Sequence, residues 1–356
     1  MKKNLLIIIV LSISFATKAQ IIYHDASAFP LLGKISDATE TRYERLPARL
    51  KNNVSREELW NLGKNTAGLA IRFCSDSPQI LVKWETLNNC YMNHMAPTGI
   101  KGLDLYCLEN GGWTYVNTAR PGEKKSEETL ISNMEKKERE FMLYLPLYDG
   151  IVSIEIGIEA SAFIGQPKIN LPDRNKPVVA YGTSILQGGC ASRPGMAQTN
   201  ILSRMLNREI INLGFSANGQ LDYEIAELMA ECDASLYMLD FMPNVTVQQI
   251  NEKAEKFYRI LRDRRPETPI VFIENPLYTR AKYDLNLQNI VREKNLALNT
   301  LFNELKAKGE KNIRLIPADG MIGTDDEATV DGVHFTDLGF MRYAEFLYQH
   351  LTAFNY

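Results

Sequence analysis

The sequence predicts an α/β fold preceded by a β-sandwich, and three observations carry that reading. Downstream of Pro172, short apolar β-rich runs alternate with amphipathic helical stretches, the pattern of a parallel sheet covered on both faces. Upstream, from Ile21 to about Asn170, short alternating runs are broken by Gly, Pro and Asn, with no long amphipathic helix. Between them, Leu171-Pro-Asp-Arg-Asn-Lys-Pro177 is polar and carries two prolines, as a domain link should. A chain of 356 residues that is 45% hydrophobic can bury two such cores. The expected boundaries are 1–19 for a leader, 20–172 for the sandwich and 173–356 for the α/β domain.

The leader is read from Lys2 and Lys3 ahead of the apolar run Leu5 to Val10, which continues to Ala16-Thr-Lys-Ala19. Cleavage after Ala19 leaves Gln20 as the N-terminus, and an apolar run this short falls below the ~20 residues that span a bilayer. The expectation is an exported protein, periplasmic or secreted, without stable membrane insertion. Losing residues 1–19 removes Lys2, Lys3 and Lys18 and no acid, which takes the formal charge from −3 to −6. An acidic chain without a basic patch argues against nucleic acid as a partner. The cysteines Cys74, Cys90, Cys107, Cys190 and Cys232 show no CxxC pair or metal-ligand spacing, so no disulfide framework is expected, although one bridge among the first three stays open.

In the first half the strand candidates are Leu69 to Phe73, Ile80 to Trp84, Leu103 to Leu108, Trp113 to Val116, Glu140 to Tyr144 and Val152 to Ile158. The charged segment from Pro121 to Glu140 reads as a solvated hairpin or loop. In the second half, strands are expected at Val178 to Tyr181, Ile210 to Leu213, Ser235 to Leu239, Ile270 to Ile273 and Ile313 to Ile316. Helices are expected at about Ala197 to Leu206, Leu221 to Glu231, Val247 to Arg262, Leu285 to Lys308 and Asp337 to Leu351.

In a doubly wound sheet the working residues lie at the carboxyl ends of the strands. The first of these strands runs into Ala180-Tyr-Gly-Thr-Ser-Ile-Leu-Gln-Gly-Gly189, a small Gly-flanked turn that can present Ser184 at the sheet edge, either as a nucleophile or as a helix cap. A serine nucleophile needs a base, and of His24, His94, His334 and His350 only His334 lies on a loop between the last strand and the last helix. Asp331, three residues earlier, can accept one imidazole N–H and leave the other nitrogen free to deprotonate Ser184. Two further loops at the same edge hold Gly214 and Asn244, readable as oxyanion donors beside the Ser184 N–H, or as a turn glycine and a capping asparagine.

Taken together, Ser184, Gly214, Asn244 and His334, in that order after successive strands and with Asp331 before the His, resemble the SGNH (GDSL-type) hydrolase superfamily. The usual Gly-Asp-Ser is Gly-Thr-Ser here, Thr183 standing for Asp. Lys101-Gly-Leu-Asp-Leu-Tyr106 resembles the GxDLY motif of an N-terminal β-domain attached to such hydrolases in exported bacterial proteins. The resemblance implies a three-layer α/β/α domain of flavodoxin-like strand order behind a jelly-roll-like sandwich, with no metal and no cofactor. It implies hydrolysis through an acyl-enzyme, with Ser184, His334 and Asp331 as triad and Ser184, Gly214 and Asn244 as oxyanion hole. By the same resemblance the expected partner is an acylated glycan or other small ester, acetyl foremost.

Candidates for substrate contact are Gln187 and Arg193 in the segment after the nucleophile, and Asn93 and His94 in the polar, aromatic loop Asn88 to Gly99. Arg193 could recognise an acidic sugar but in such a place is more often a structural anchor, and Trp84 and Trp113 read as core rather than sugar platforms. The rival functions are a lipid acylhydrolase or lysophospholipase and a catalytically silent glycan-binding protein. A flavin site is disfavoured because no phosphate-cradling glycine pattern precedes a helix.

Overall fold

The computed structural model describes residues 19–353, so the expected leader lies outside the described residues apart from Ala19. The first half contains β1 (Ile21–Asp25), β2 (Leu31–Leu32), β3 (Ala70–Ser75), β4 (Ile80–Thr86), β5 (Leu103–Glu109), β6 (Gly112–Ala119), β7 (Lys125–Ile131), β8 (Arg139–Tyr144), β9 (Ile151–Glu159) and β10 (Ile164–Gly165). They form two antiparallel sheets, one ordered β1-β9-β4-β7 and the other β10-β3-β8-β5-β6 with β2 beside β3. Alternation places Phe73, Leu105, Phe141 and Leu143 of one sheet against Val82, Trp84, Ile154 and Ile156 of the other, which closes the sandwich. Two short helices, α1 (Glu57–Gly63) and α2 (Pro97–Lys101), interrupt it.

The charged stretch expected as hairpin or loop contains β7, paired antiparallel with β4. Its charges are the reason it escapes an apolar pattern: Lys83 pairs with Glu127 and Lys125 with Glu85 across the two strands, on a solvated edge.

The second half contains β11 (Asp173–Gly182), β12 (Arg208–Gly214), β13 (Leu236–Asp240), β14 (Ile270–Ile273) and β15 (Ile313–Ile316), all parallel and ordered β12-β11-β13-β14-β15. Counted within the sheet this is the flavodoxin-like order 2-1-3-4-5. The helices are α3 (Ser184–Gln187), α4 (Gln198–Leu206), α5 (Tyr223–Glu231), α6 (Val247–Gln249), α7 (Glu255–Arg264), α8 (Leu285–Ala307) and α9 (Asp337–Thr352). The helix expected over Val247 to Arg262 is α6 and α7 joined by a π turn at Ile250–Ala254. Successive strand residues serve opposite layers. Val179, Tyr181, Leu213 and Leu239 pack on α5, α7 and α8, whereas Val178, Ala180, Met238 and Val271 pack on α4 and α9. All five cysteines are free thiols.

The halves share buried polar contacts. Arg45, fully buried, donates to the carbonyls of Leu62 and Asn65 in its own half and of Asn212 and Gly214 at the end of β12. Four carbonyl acceptors stand in for a carboxylate, and burial still drives the guanidinium down to about 9.

Asp240 ends β13, buried, and accepts a 2.9 Å hydrogen bond from the Tyr343 hydroxyl. Burial pushes its carboxyl up to about 7, against the opposing effect of that bond. Since the unfolded chain releases this proton near pH ~4, the folded state binds it more tightly. That contribution is complete below about pH 4 and is lost as pH rises to about 7. Asp240→Asn should therefore melt close to wild type near pH ~4 and be more stable than wild type by up to about 4 kcal/mol near pH ~8. Thermal denaturation across pH checks this; a difference that does not change with pH contradicts it.

Candidate active site

At the end of β11 the chain turns at once into α3, whose first residue is Ser184. Thr183 caps that turn, its hydroxyl accepting from the Ile185 N–H at 3.3 Å, so the residue standing for Asp has a local structural task. Gly188, at φ +101°, ends the turn in a conformation that L side chains rarely adopt. Gly189 is required by space: a Cβ would lie 2.7 Å from the Tyr148 hydroxyl and 3.3 Å from His334 Cδ2. Tyr148, from the sandwich half, donates to the Ser184 carbonyl at 3.2 Å.

His334 reaches the turn from the loop between β15 and α9. Its Nε2 is 2.9 Å from Ser184 Oγ. Its Nδ1 is 2.8 Å from Asp331 Oδ2, while Asp331 Oδ1 accepts the backbone N–H groups of Val333 and His334 at 3.0 and 2.8 Å. One carboxylate thus fixes both the ring and the loop that carries it. Burial works against its charge, but the bonds from the His334 ring and the two N–H groups outweigh burial and hold the carboxyl below the usual carboxylate range. With Nδ1–H committed to Asp331, the Nε2 lone pair faces the hydroxyl and can take its proton.

The Gly214 N–H is already committed and is not free to meet an oxyanion. The residue is buried, its N–H donates to Asn212 Oδ1 at 2.8 Å, and its Cβ position would be 2.3 Å from the Gln187 N. The glycine is there because α3 packs on β12, which corrects the expectation of an oxyanion donor. The open N–H in that loop belongs to Ala217, which is exposed, has φ +56° and, among the described residues, meets no acceptor. This loop lies on the Ser184 turn: Phe215 N–H donates to Gly182 O at 3.0 Å, and a Cβ on Gly219 would be 2.1 Å from the same oxygen. In the orientation that satisfies its amide, Asn244 accepts from the N–H groups of Asn218 and Gly219, each at 3.3 Å, which turns its Nδ2 away from them. A non-glycine residue at positive φ has no signature in an unaligned sequence, which is why Ala217 escapes sequence reasoning, as does Tyr148.

Two expected substrate contacts are structural. Gln187 is fully buried, donating to Leu147 O at 3.1 Å and accepting from the Ser216 N–H at 2.9 Å, and so braces the Ala217 loop. Arg193 donates at 2.8 Å to both Asp104 and Tyr106, with its guanidinium 3.9 Å from the Tyr115 ring centroid. Asp104 also accepts the Gly195 N–H at 2.7 Å and the Thr118 hydroxyl at 2.7 Å. The Asp and Tyr of Gly-Leu-Asp-Leu-Tyr106 therefore clamp the segment that follows Ser184. Asp104→Ala strands a largely buried guanidinium and an N–H, and should destabilise the protein by about 3 kcal/mol. Calorimetry reads this as a lowered Tm; an unchanged Tm contradicts the clamp.

His94 does reach the site, its ring centroid 5.8 Å from that of His334, and Asn93 orients it through a 3.0 Å contact between Oδ1 and His94 Nδ1. On the same loop Tyr91 is 78% exposed. Trp84 is buried and donates to Lys101 O, and Trp113 lies under Arg72, so neither offers a sugar platform. A cavity of about 420 Å³ opens at the ends of β14 and β15, lined by Tyr278, Arg292, Asp319, Met321 and Ala328, and does not include Ser184 or His334. Among the described residues no helix is long and apolar enough to cross a membrane.

Residues 175–352 match the model of the GDSL-like lipase/acylhydrolase family, and residues 21–164 match that of the N-terminus of SGNH-hydrolase-type esterases. A protein from Bacteroides ovatus described as a GDSL-like lipase is 35% identical, with a TM-score of 0.89 over 94% of this chain and 98% of its own. A salicylyl-acyltransferase from a tetracycline biosynthetic pathway superposes at 0.76 and 17% identity over 94% of this chain and 97% of its own. An acetyl xylan esterase from the rumen bacterium Butyrivibrio proteoclasticus superposes at 0.56 and 13% identity over 93% and 98%. No curated protein matches the chain.

Proposed function

The chain belongs to the GDSL-like lipase/acylhydrolase family and is a carboxylic ester hydrolase, and from that premise we propose that it removes short acyl groups, acetyl foremost, from polysaccharides or oligosaccharides. The observation that carries the proposal is the chain of contacts from Ser184 Oγ through His334 to Asp331, at 2.9 and 2.8 Å. Ser184 attacks the ester carbonyl as its proton passes to His334 Nε2. The imidazolium, stabilised by Asp331, returns that proton to the departing sugar oxygen as the C–O bond breaks. Water then attacks the acyl-enzyme with His334 as base, releasing the acid and restoring Ser184. The negative oxygen of each tetrahedral intermediate takes hydrogen bonds from the N–H groups of Ser184 and Ala217 and from Asn244 Nδ2. We place residues 173–356 as the catalytic domain, 20–172 as an accessory sandwich, and the mature protein outside the cytoplasm.

Support for a glycan comes from the exposed Tyr91 ring and His94 on a sandwich loop at the site, and from the shared architecture with the acetyl xylan esterase. A lipid acylhydrolase is the second reading, favoured by exposed Leu277, Tyr283 and Leu285 on a segment that borders the 420 Å³ cavity. Turnover of p-nitrophenyl acetate and a long-chain ester, with acetate release from acetylated glycans, separates them. Acetate release supports the glycan reading, preference for long chains supports the lipid one, and no turnover of any ester points to a silent binding protein. Asn244→Ala should lower kcat by about 10²–10³ with KM little changed. An unaltered kcat removes Asn244 from the oxyanion hole.

A further inference from the structure

We propose that the rim of this site binds a borderline-soft divalent cation, Zn²⁺ first among them, between His94, Cys190 and His334, and that the bound ion switches the enzyme off. The ligand atoms of the three residues lie within 4.8 Å of one another. Both rings are already aimed: His334 Nδ1 lies 2.8 Å from Asp331 Oδ2 and His94 Nδ1 lies 3.0 Å from Asn93 Oδ1, so each imidazole keeps its Nε2 lone pair for a ligand. An oxygen acceptor behind the far ring nitrogen is the outer-shell arrangement that orients metal-binding histidines.

Cys190 supplies the third donor. Its backbone is held at φ +73° in the turn that follows Gly188 and Gly189, a left-handed conformation that costs free energy for a residue with a Cβ. Two imidazoles and a thiolate select Zn²⁺ or copper over Mg²⁺ or Ca²⁺, which prefer oxygen. Drawing the three atoms in to about 2.0–2.3 Å from an ion asks for a small movement, which His94, half-buried on its loop, can supply. As the Zn–S bond forms, the thiol proton leaves to solvent. The ion takes the Nε2 lone pair of His334 that otherwise accepts the Ser184 proton, so binding and proton transfer exclude each other. Ester hydrolysis needs no such ion, which makes it an inhibitor and not a cofactor.

Inhibition rests on the reading of Ser184 and His334 given above; binding of the cation does not. The full reduced chain is titrated with ZnCl₂ while p-nitrophenyl acetate turnover is followed, and with CoCl₂ while near-ultraviolet absorbance reports a thiolate-to-Co(II) band. Turnover should fall with Zn²⁺ and recover with EDTA, and the Co(II) band should form. Cys190→Ser should keep its metal-free turnover, need at least about 10-fold more Zn²⁺ for half inhibition and show no band. His94→Gln, a second variant, should weaken the band as well. Inhibition of Cys190→Ser at the wild-type Zn²⁺ concentration, or absence of the band in wild type, overturns the proposal. A band without turnover keeps the cation site and sinks the esterase reading, and turnover without a band does the reverse.

Discussion

Ser184→Ala should lower kcat for ester hydrolysis by roughly 10⁵–10⁶-fold, and His334→Ala should do nearly the same. The two act as one unit, since Oγ becomes a competent nucleophile only as Nε2, 2.9 Å away, takes its proton. The double variant should therefore be scarcely worse than either single one, a non-additivity that independent contributions cannot produce. Neither change should move the Tm much. Thr183, not Ser184, supplies the side-chain cap of the turn, and the loop of His334 is held by Asp331 and by backbone bonds such as Val330 N–H to His334 O. Turnover in a preparation free of other esterases, with a melting curve beside it, checks both statements.

Asp331→Asn should lower kcat by roughly 10³–10⁴-fold. Asn can keep its oxygen toward the Val333 and His334 N–H groups, so the loop survives. Its amino group then faces Nδ1, which must become the acceptor, and the ring proton moves to Nε2 where the Ser184 proton should go. The residue is partly exposed and solvent can restore some of the correct tautomer, so the loss stays smaller than that of Ser184→Ala. A kcat within about tenfold of wild type would show that His334 does not depend on Asp331 for its orientation.

The convergence of Ser184 and His334 can be read without coordinates because alternation of strands and helices sends every strand's carboxyl end to one edge. Asp331 follows from the same reasoning, since three residues separate it from His334 within one short loop. Gly214 shows where that reasoning ends. A loop can be assigned to the site from topology, but which of its N–H groups stays open depends on backbone dihedrals and on Asn212 and Gln187 beneath it. Gln187 and Arg193 look like binding residues because polar side chains near a nucleophile invite that reading. Their partners Leu147, Asp104 and Tyr106 lie far away in the other half of the chain, and no local pattern reveals such pairs. The strand Lys125–Ile131 is hidden for a related reason, its outward charges being paired across strands and not alternating with apolar residues.

The most direct test is to trap the acyl-enzyme intermediate, or its stable phosphonyl mimic. The chain is treated with a serine-directed fluorophosphonate, turnover is followed to extinction, and the digested protein is read by mass spectrometry. One equivalent should be carried by the peptide containing Ser184, in step with loss of turnover, and Ser184→Ala should remain unlabelled. Stoichiometric labelling of another residue with loss of turnover, or full turnover by the unlabelled Ser184→Ala chain, would contradict the assignment of Ser184 as nucleophile.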